Sequence, residues 1–500
     1  MMLIEAATDT QTVAPAGGPA RYDRATGSRQ APAQVLRAIG ALGLLGVLAT
    51  LFLLVAGAAG GPSRYVPARS GGWPDWLAGP LSGVGLRLGS GGFQALMLIM
   101  CASYLLVLAS ARELGVRALG ATIVLAHVVL LLGPPLISQD VFGYLAFARL
   151  GALHGLDPYT HFPAAAPTDA AFPFVGWPFQ HSPYGPLFTL VSYATTPLGL
   201  AGGLWAMKAL AVSASLATVG LSAKTAEQLG RSPAWAAAFV GLNPVLLVLA
   251  VGGAHNDMLL VMLLALALWL ATANGGRPRA AAVALAAGVG VKVSAGLVLP
   301  FLVLGQPRLR QRLRTLWSAV LGLAALVVLG LVGFGLHTLG FLVAIGEQQQ
   351  LVATHSLPAE TARLFSLGGT PAWWRDAFLL AFVAVLAGAL WRTYRGADWI
   401  AAAGWATLAL LLCTAWLLPW YAVWLLPLAA VCTDRRLRAA TLLFCAYAVL
   451  IHLPLADPLL RPVAGHVLGL PDGLHLALRG ERVELTRFEV LRHAKLNLGW

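Results

Sequence analysis

The chain has 500 residues, of which 58% are hydrophobic and 11% charged, with a mean hydropathy of +0.77 and a formal net charge of +13. Soluble chains carry about 25% charged residues, so the deficit argues against a water-soluble enzyme and sets most of the chain against lipid or other helices. The basic excess does not point to nucleic acid either, because Lys and Arg stand in short clusters between long apolar runs, where they set topology.

Residues 1–35 are rich in Ala, Pro and Gly with scattered Arg, and read as a disordered cytoplasmic tail. The first apolar run begins too far along, and runs too long, for an ordinary cleaved signal peptide, so it reads as a first span. At about 20 apolar residues per crossing, spans fall near 36–58, 92–111, 117–137, 204–222, 233–251, 257–273, 279–291, 294–305, 315–336, 373–392, 397–415, 419–433 and 438–454. The pair 279–291 and 294–305 is short for two crossings and fits either a tilted pair or one broken helix. The expected fold is an all-α polytopic membrane protein of about thirteen transmembrane helices. Its transmembrane domain covers 36–455, with outer loops at 138–203 and 337–372 and an extracytoplasmic tail at 456–500.

Orientation follows from the basic residues. With Arg21, Arg24, Arg29 and Arg37 on the cytoplasmic side, the alternate short segments hold Arg112 and Arg117, Lys224 and Arg231, Arg277 and Arg279, and the run Arg308, Arg310, Arg312 and Arg314. Arg392, Arg395, Arg435, Arg436 and Arg438 continue the alternation, and the intervening short loops are nearly free of positive charge. The run 186–201 is apolar enough for a span, but making it one would put Lys224 and Arg231 outside. It therefore reads as an interfacial or re-entrant helix carried by the first large outer loop.

That loop is unusual. Between 157 and 186 it interleaves Pro158, Pro163, Pro167, Pro173, Pro178, Pro183 and Pro186 with Tyr159, Phe162, Phe172, Phe174, Trp177, Phe179 and Tyr184. Proline at this density forbids regular structure, aromatics at this density favour a membrane interface, and long ordered loops are usually functional. No repeat of fixed period is present, which weakens a transporter built from duplicated halves. Cys101, Cys413, Cys432 and Cys445 lie in or beside apolar runs without a CxxC pair, so neither a zinc site nor a disulfide framework is indicated.

Several polar groups stand where apolar runs end. Asp140, in Ser138-Gln139-Asp140, precedes the stretch VFGYLAFARLGALHG, which contains Tyr144. Asp140 reads either as a helix N-cap or as a general base for an acceptor hydroxyl. Gly252-Gly253-Ala254-His255-Asn256-Asp257 fills a very short turn between two spans. It is either a capped helix start or a set of groups facing a wet cavity. No second His-rich cluster completes a metal shell, so no metal is expected there. Lys292 interrupts an apolar run; it either snorkels to the headgroups or provides a cation for a lipid phosphate. In the 337–372 loop His355 and Arg363 are candidates for phosphate or sugar contacts beside Glu347, Gln348, Gln349 and Gln350, which fit plain solvated loop. The turn Trp416 to Trp424, with Trp420 and Tyr421, reads as an interface belt or as a sugar-stacking surface. Phosphate-loop, HExxH, GxSxG and Asp-x-Asp signatures are absent. A site facing outward has no cytoplasmic nucleotides, so a lipid-carried donor fits both observations.

The segments SQDVFGYLAFARLGALHGLDPY, HSPYGPLFTL, NPVLLVLAVGGAHNDMLL, GVGVKVSAGLVLPF and LLPWYAVWLLPL together resemble the C-type glycosyltransferase superfamily. Within it the chain is most similar to the actinobacterial polyprenol-phosphate-mannose-dependent α-mannosyltransferases, over roughly residues 110–430. The resemblance implies an inverting, multi-span (mannosyl)transferase of the cell membrane with an extracytoplasmic site, no cofactor, a polyprenyl-phosphate sugar donor and a lipid-linked or cell-wall glycan acceptor. It maps the superfamily's acidic catalytic residue onto Asp140, which here lacks a neighbouring Glu. It sets His255, Asn256 and Asp257 along the same cavity. Tyr144, Tyr184, Lys292, His355, Arg363, Trp420 and Tyr421 complete the expected substrate contacts. Superfamily members often have one span before the catalytic loop, so the two extra N-terminal spans read as an extension. The rivals are a multi-span transporter or flippase, a lipid-linked glycan ligase and a structural membrane partner. Transporters put their polar groups near mid-membrane rather than at one boundary.

Overall fold

The computed structural model describes residues 33–451 except 64, 67–71 and 274. The 456–500 tail and nearly all of the 1–35 tail lie outside the described residues. Apolar composition without long polar stretches makes helices here, because backbone groups in lipid must be satisfied within their own segment. The described residues contain helices and no strand.

The chain opens with α1 (Ala33–Ala59), a short α2 (Asp75–Ala78), α3 (Ser90–Ser110) and α4 (Val116–Leu132). α1 packs along α3 through Gly40, Gly43 and Gly46: a Cβ at Gly43 would stand 2.8 Å from the Ser103 carbonyl oxygen, so only glycine allows this approach. The loop region then carries α5 (Asp140–His154) and α6 (Pro186–Tyr193), followed by α7 (Gly199–Gln228). Next come α8 (Pro233–Gly241), a wide-turned segment Val245–Val251, α9 (Asp257–Thr272) and α10 (Pro278–Val291). A tight helical turn Val293–Val298 leads into α11 (Leu299–Leu304), then α12 (Leu309–Phe334), α13 (Gly340–Gln349) and α14 (Leu357–Leu364). The last elements are α15 (Ala372–Tyr394), α16 (Trp399–Cys413), a tight turn Pro419–Leu425 running into α17 (Leu426–Val431), and α18 (Arg435–Leu450).

Five helical stretches are long and apolar enough to cross a bilayer: Ala33–Ala59, Ser90–Ser110, Pro186–Gln228, Leu309–Gln349 and Ala372–Tyr394. A sixth forms if Pro233–Gly241 and Val245–Val251, bent by 45°, count as one. Shorter apolar helices occupy most of the other expected positions, so length and hydropathy establish several spans but not the expected thirteen. The run 186–201 is split between α6 and the start of α7 by a tight turn at Thr196–Leu198, within one 43-residue apolar stretch. The pair expected at 279–291 and 294–305 is two segments folded against each other. A Cβ at Gly288 would lie 2.9 Å from that of Ala295, on the far side of Lys292.

The core is one large cluster in which Val245–Val251 and Leu425–Val431 are almost wholly buried. α12 and α15 stand at the rim with large apolar side chains exposed, as helices facing lipid do.

Candidate functional site

Asp140 is set by a strained approach. After α4 ends at Gly133, the Leu136 N–H donates to the Gly252 carbonyl at 2.8 Å and the Ile137 N–H to the Tyr65 carbonyl at 2.7 Å. Ile137 is held at φ 69°, a region that a β-branched residue rarely enters. The Ser138 hydroxyl accepts the Asp140 N–H at 3.1 Å, and α5 begins at Asp140 itself. Gln139 occupies the cap position and no side chain caps the helix, so the N-cap reading of Asp140 does not hold. Its carboxylate keeps 15% of its side-chain surface and faces a cavity.

The 252–257 turn is pressed against the same segment. A Cβ at Gly252 would stand 2.3 Å from the Val248 carbonyl oxygen, and one at Gly253 2.5 Å from His255 Nε2. Ala254 takes a left-handed φ of 54°. These close approaches bring His255 Nδ1 to 3.4 Å from Asp140 Oδ2, and the imidazole stacks on the Trp420 indole at 3.9 Å between centroids. Asn256 sits at the cap position of α9 without capping it; its Oδ1 accepts from the Tyr144 hydroxyl at 3.2 Å. Asp257 is fully buried. It accepts the Trp424 Nε1–H at 2.7 Å and both of its oxygens meet Lys292 Nζ, at 3.0 and 3.1 Å.

Lys292 therefore does not snorkel. It stands in an extended break between α10 and the following turn, paired with Asp257, and its ammonium lies 4.3 Å from the Tyr421 ring centroid. A buried charge demands this kind of partnering. The proline-rich loop docks directly beside it. The Gly185 N–H donates to the Val291 carbonyl at 3.2 Å, and a Cβ at Gly185 would be 2.4 Å from the Gly290 carbonyl oxygen.

These elements surround a cavity of about 380 Å³, within the range of small-molecule sites. Of the residues expected from the sequence, Asp140, Tyr184, Lys292 and Tyr421 line it. His255, Asn256, Asp257, Tyr144 and Trp420 form a buried layer that holds those side chains, with Tyr144 packed edge-on to Tyr184 at 4.9 Å. His355 and Arg363 are elsewhere: both pair with Glu360, His355 Nδ1 at 2.7 Å, and neither lines the cavity. Burial acts to raise the Glu360 carboxyl, but the His355 hydrogen bond and the Arg363 charge hold it below the usual glutamate value.

Sequence reasoning missed Ser294, Gln180 and His181 as site residues, all of which line the cavity, as does Trp424 of the turn read as an interface belt or sugar-stacking surface. The spacing of Trp420, Tyr421 and Trp424 carried a signal, since three and four residues put rings on one helical face. Gln180 carried none, and His181 only that it opens the segment HSPYGPLFTL, because only the folded loop turns them inward. Among the described residues no cluster of three His, Cys, Asp or Glu side chains stands close enough to hold a metal ion.

Sequence comparison decides the class. Residues 43–308 match the family described as alpha-(1->6)-mannopyranosyltransferase, N-terminal domain, and residues 371–468 match the MptB C-terminal domain. The chain belongs to the alpha-(1->6)-mannopyranosyltransferase family. Alpha-(1->6)-mannopyranosyltransferase A of Mycobacterium tuberculosis is 29% identical over 365 residues, 67% of this chain and 69% of that protein. The enzyme of the same name from Corynebacterium glutamicum is 34% identical over 162 residues, 31% of each chain. No solved structure matches. This mannosyltransferase-family chain is thus a membrane glycosyltransferase, with an actinobacterial kinship that its motifs already suggested.

Proposed function

We propose that the protein transfers mannose from a polyprenyl-phosphate donor to a hydroxyl of a lipid-linked or cell-envelope glycan, on the extracytoplasmic side of the cell membrane, with inversion at the anomeric carbon. The observation that carries this reading is one cavity that shares a carboxylate and an ammonium from distant parts of the chain, Asp140 and Lys292. Asp140 accepts the proton of the attacking hydroxyl while the new carbon–oxygen bond forms and the bond from the anomeric carbon to the phosphate oxygen breaks. The polyprenyl phosphate leaves with the electron pair of that bond. Lys292, held in place by Asp257, offers its remaining donor capacity to the phosphate as charge builds there. His255, with Nδ1 3.4 Å from Asp140 Oδ2 and its ring stacked on Trp420, packs beside the carboxylate.

The apolar side of the cavity supports a lipid donor. Phe382 and Leu386 of α15, Leu410 and Leu411 of α16, and Leu297 line it, and α15 exposes its other faces to lipid. The basic segments of the chain favour a cytoplasmic N-terminus and hence an outer site. The relatives are named for α-(1→6) transfer, so the acceptor group is proposed as the primary 6-hydroxyl of a mannose. A transporter would need no carboxylate and ammonium facing one another across a cavity with an apolar wall.

The test is a membrane assay with radiolabelled polyprenyl-phosphate-mannose. The parent chain yields a covalent α-mannosylated product and Asp140→Asn does not. Equal transfer by both would remove Asp140 as the base. Uptake of sugar into proteoliposomes without covalent product would replace the enzyme with a carrier.

A further inference from the structure

The cavity wall is chemically divided. The part that α15, α16 and the turn after Lys292 contribute is aliphatic or Phe apart from Ser294 and Thr414 at the end of α16. The other comes from three connecting segments: the proline-rich loop with Trp177 and Gln180, the end of α13 with Gln348 and Gln349, and the turn before Pro419 with Trp416. Resting on the transferase reading above, we infer that this second side is a subsite for a pyranose ring of the acceptor glycan, with Trp177 and Trp416 as the stacking surface and the three glutamine amides as hydroxyl partners.

Four observations support the assignment. Trp177 and Trp416, from segments far apart in sequence, pack edge to face at 5.6 Å between centroids and 80° between planes. Both indoles line the cavity, so their contact makes one aromatic surface there. Trp177 remains 45% exposed although it lines the cavity, so an apolar ring is offered to whatever enters. The side-chain amides of Gln180, Gln348 and Gln349 make no hydrogen bond to any described residue. Each amide brings donors and an acceptor, the complement of sugar hydroxyls. Finally, His181 Nδ1 lies 3.1 and 3.2 Å from the two carboxylate oxygens of Glu347, so the loop carrying Gln180 is tied to the helix end carrying Gln348 and Gln349. The three amides are thereby held as one surface. A hexopyranoside has an apolar C–H face and a rim of hydroxyls, which fits an aromatic floor with amide edges.

The experiment uses the full chain in lipid nanodiscs with methyl α-mannosides of one to four units as probes. Binding is read by saturation-transfer NMR, and acceptor KM by transfer from polyprenyl-phosphate-mannose. Trp177→Ala and Trp416→Ala are each expected to weaken binding and raise acceptor KM roughly tenfold or more, while donor KM moves less than about twofold. Trp177→Phe is expected to restore most of the loss, which separates stacking from folding. Parent binding of mannosides without any transfer would overturn the transferase reading and leave the subsite standing. Transfer by the parent with acceptor KM unchanged in both Trp→Ala variants, or no saturable mannoside binding by the parent, would overturn the subsite.

Discussion

Two polar clusters in this molecule use the same residue types to opposite ends. In one, His355, Arg363 and Glu360 close on each other: the imidazole and the guanidinium share one carboxylate, and Arg363 also donates to the Thr354 carbonyl at 2.6 Å. In the other, Asp140, His255, Asp257 and Lys292 are only partly satisfied among themselves. Both His255 ring nitrogens and Asn256 Nδ2 are buried without a hydrogen-bond partner, and Asp140 and Lys292 open on a cavity. A half-buried cluster that satisfies itself asks nothing of a ligand and adds little to stability, about 0–1 kcal/mol. Buried groups left without partners are costly, and of this cluster only Asp140 and Lys292 face the cavity where a substrate can engage them.

The comparison can be broken most sharply at Asp140. Asp140→Asn keeps the size of the side chain and removes the base, so transfer in membranes should fall by about 10²- to 10⁴-fold while the protein melts near the parent temperature. A parent-like rate would move the chemistry away from this cluster. Lys292→Met comes next. It leaves Asp257 buried without its cation, at a cost of about 3–5 kcal/mol in stability. Replacing both residues, with Lys292→Met and Asp257→Leu, should recover much of the melting temperature but none of the transfer activity, which a purely structural ion pair would not show. Gly185→Ala drives a methyl against the Gly290 carbonyl oxygen. It should lose about 1–3 kcal/mol and part of the activity as the loop lifts from Lys292.

The smallest effects belong to the self-satisfied cluster. Glu360→Gln should change stability by less than about 1 kcal/mol and leave transfer unchanged. Glu360 has a folded pKa below its ordinary 4.5. Its contribution is therefore fully present above that value and is lost as pH falls through the lower, folded one. Acid melting curves of the parent should show this loss, and those of Glu360→Gln should lack it.

Much of the site was legible in the sequence because polar side chains are expensive where apolar runs end. Asp140, the 255–257 triplet and Lys292 stand out for that reason alone. Their roles were not legible. The cap reading of Asp140 lost to Gln139, which takes the cap position; the cap reading of Asn256 and the snorkelling reading of Lys292 were reasonable locally and lost to Tyr144 and Asp257, partners far along the chain. His355 and Arg363 read as phosphate contacts only because Glu360, which engages both, was not seen as their partner. The number of crossings was also only partly legible. Several expected spans are short or broken helices packed against neighbours, and hydropathy does not distinguish them from full crossings.

The sequence by itself determined the membrane class, the helical character, the proline-rich loop and the family, since these depend on composition and on residues near one another in the chain. The tertiary structure alone decided that Lys292 meets Asp257 across 35 residues, Tyr144 meets Asn256 across 112 and Trp424 meets Asp257 across 167. Such pairings depend on which helices lie side by side. Glycines that let backbones approach and buried charges that require partners select that arrangement, and neither acts until the chain has packed.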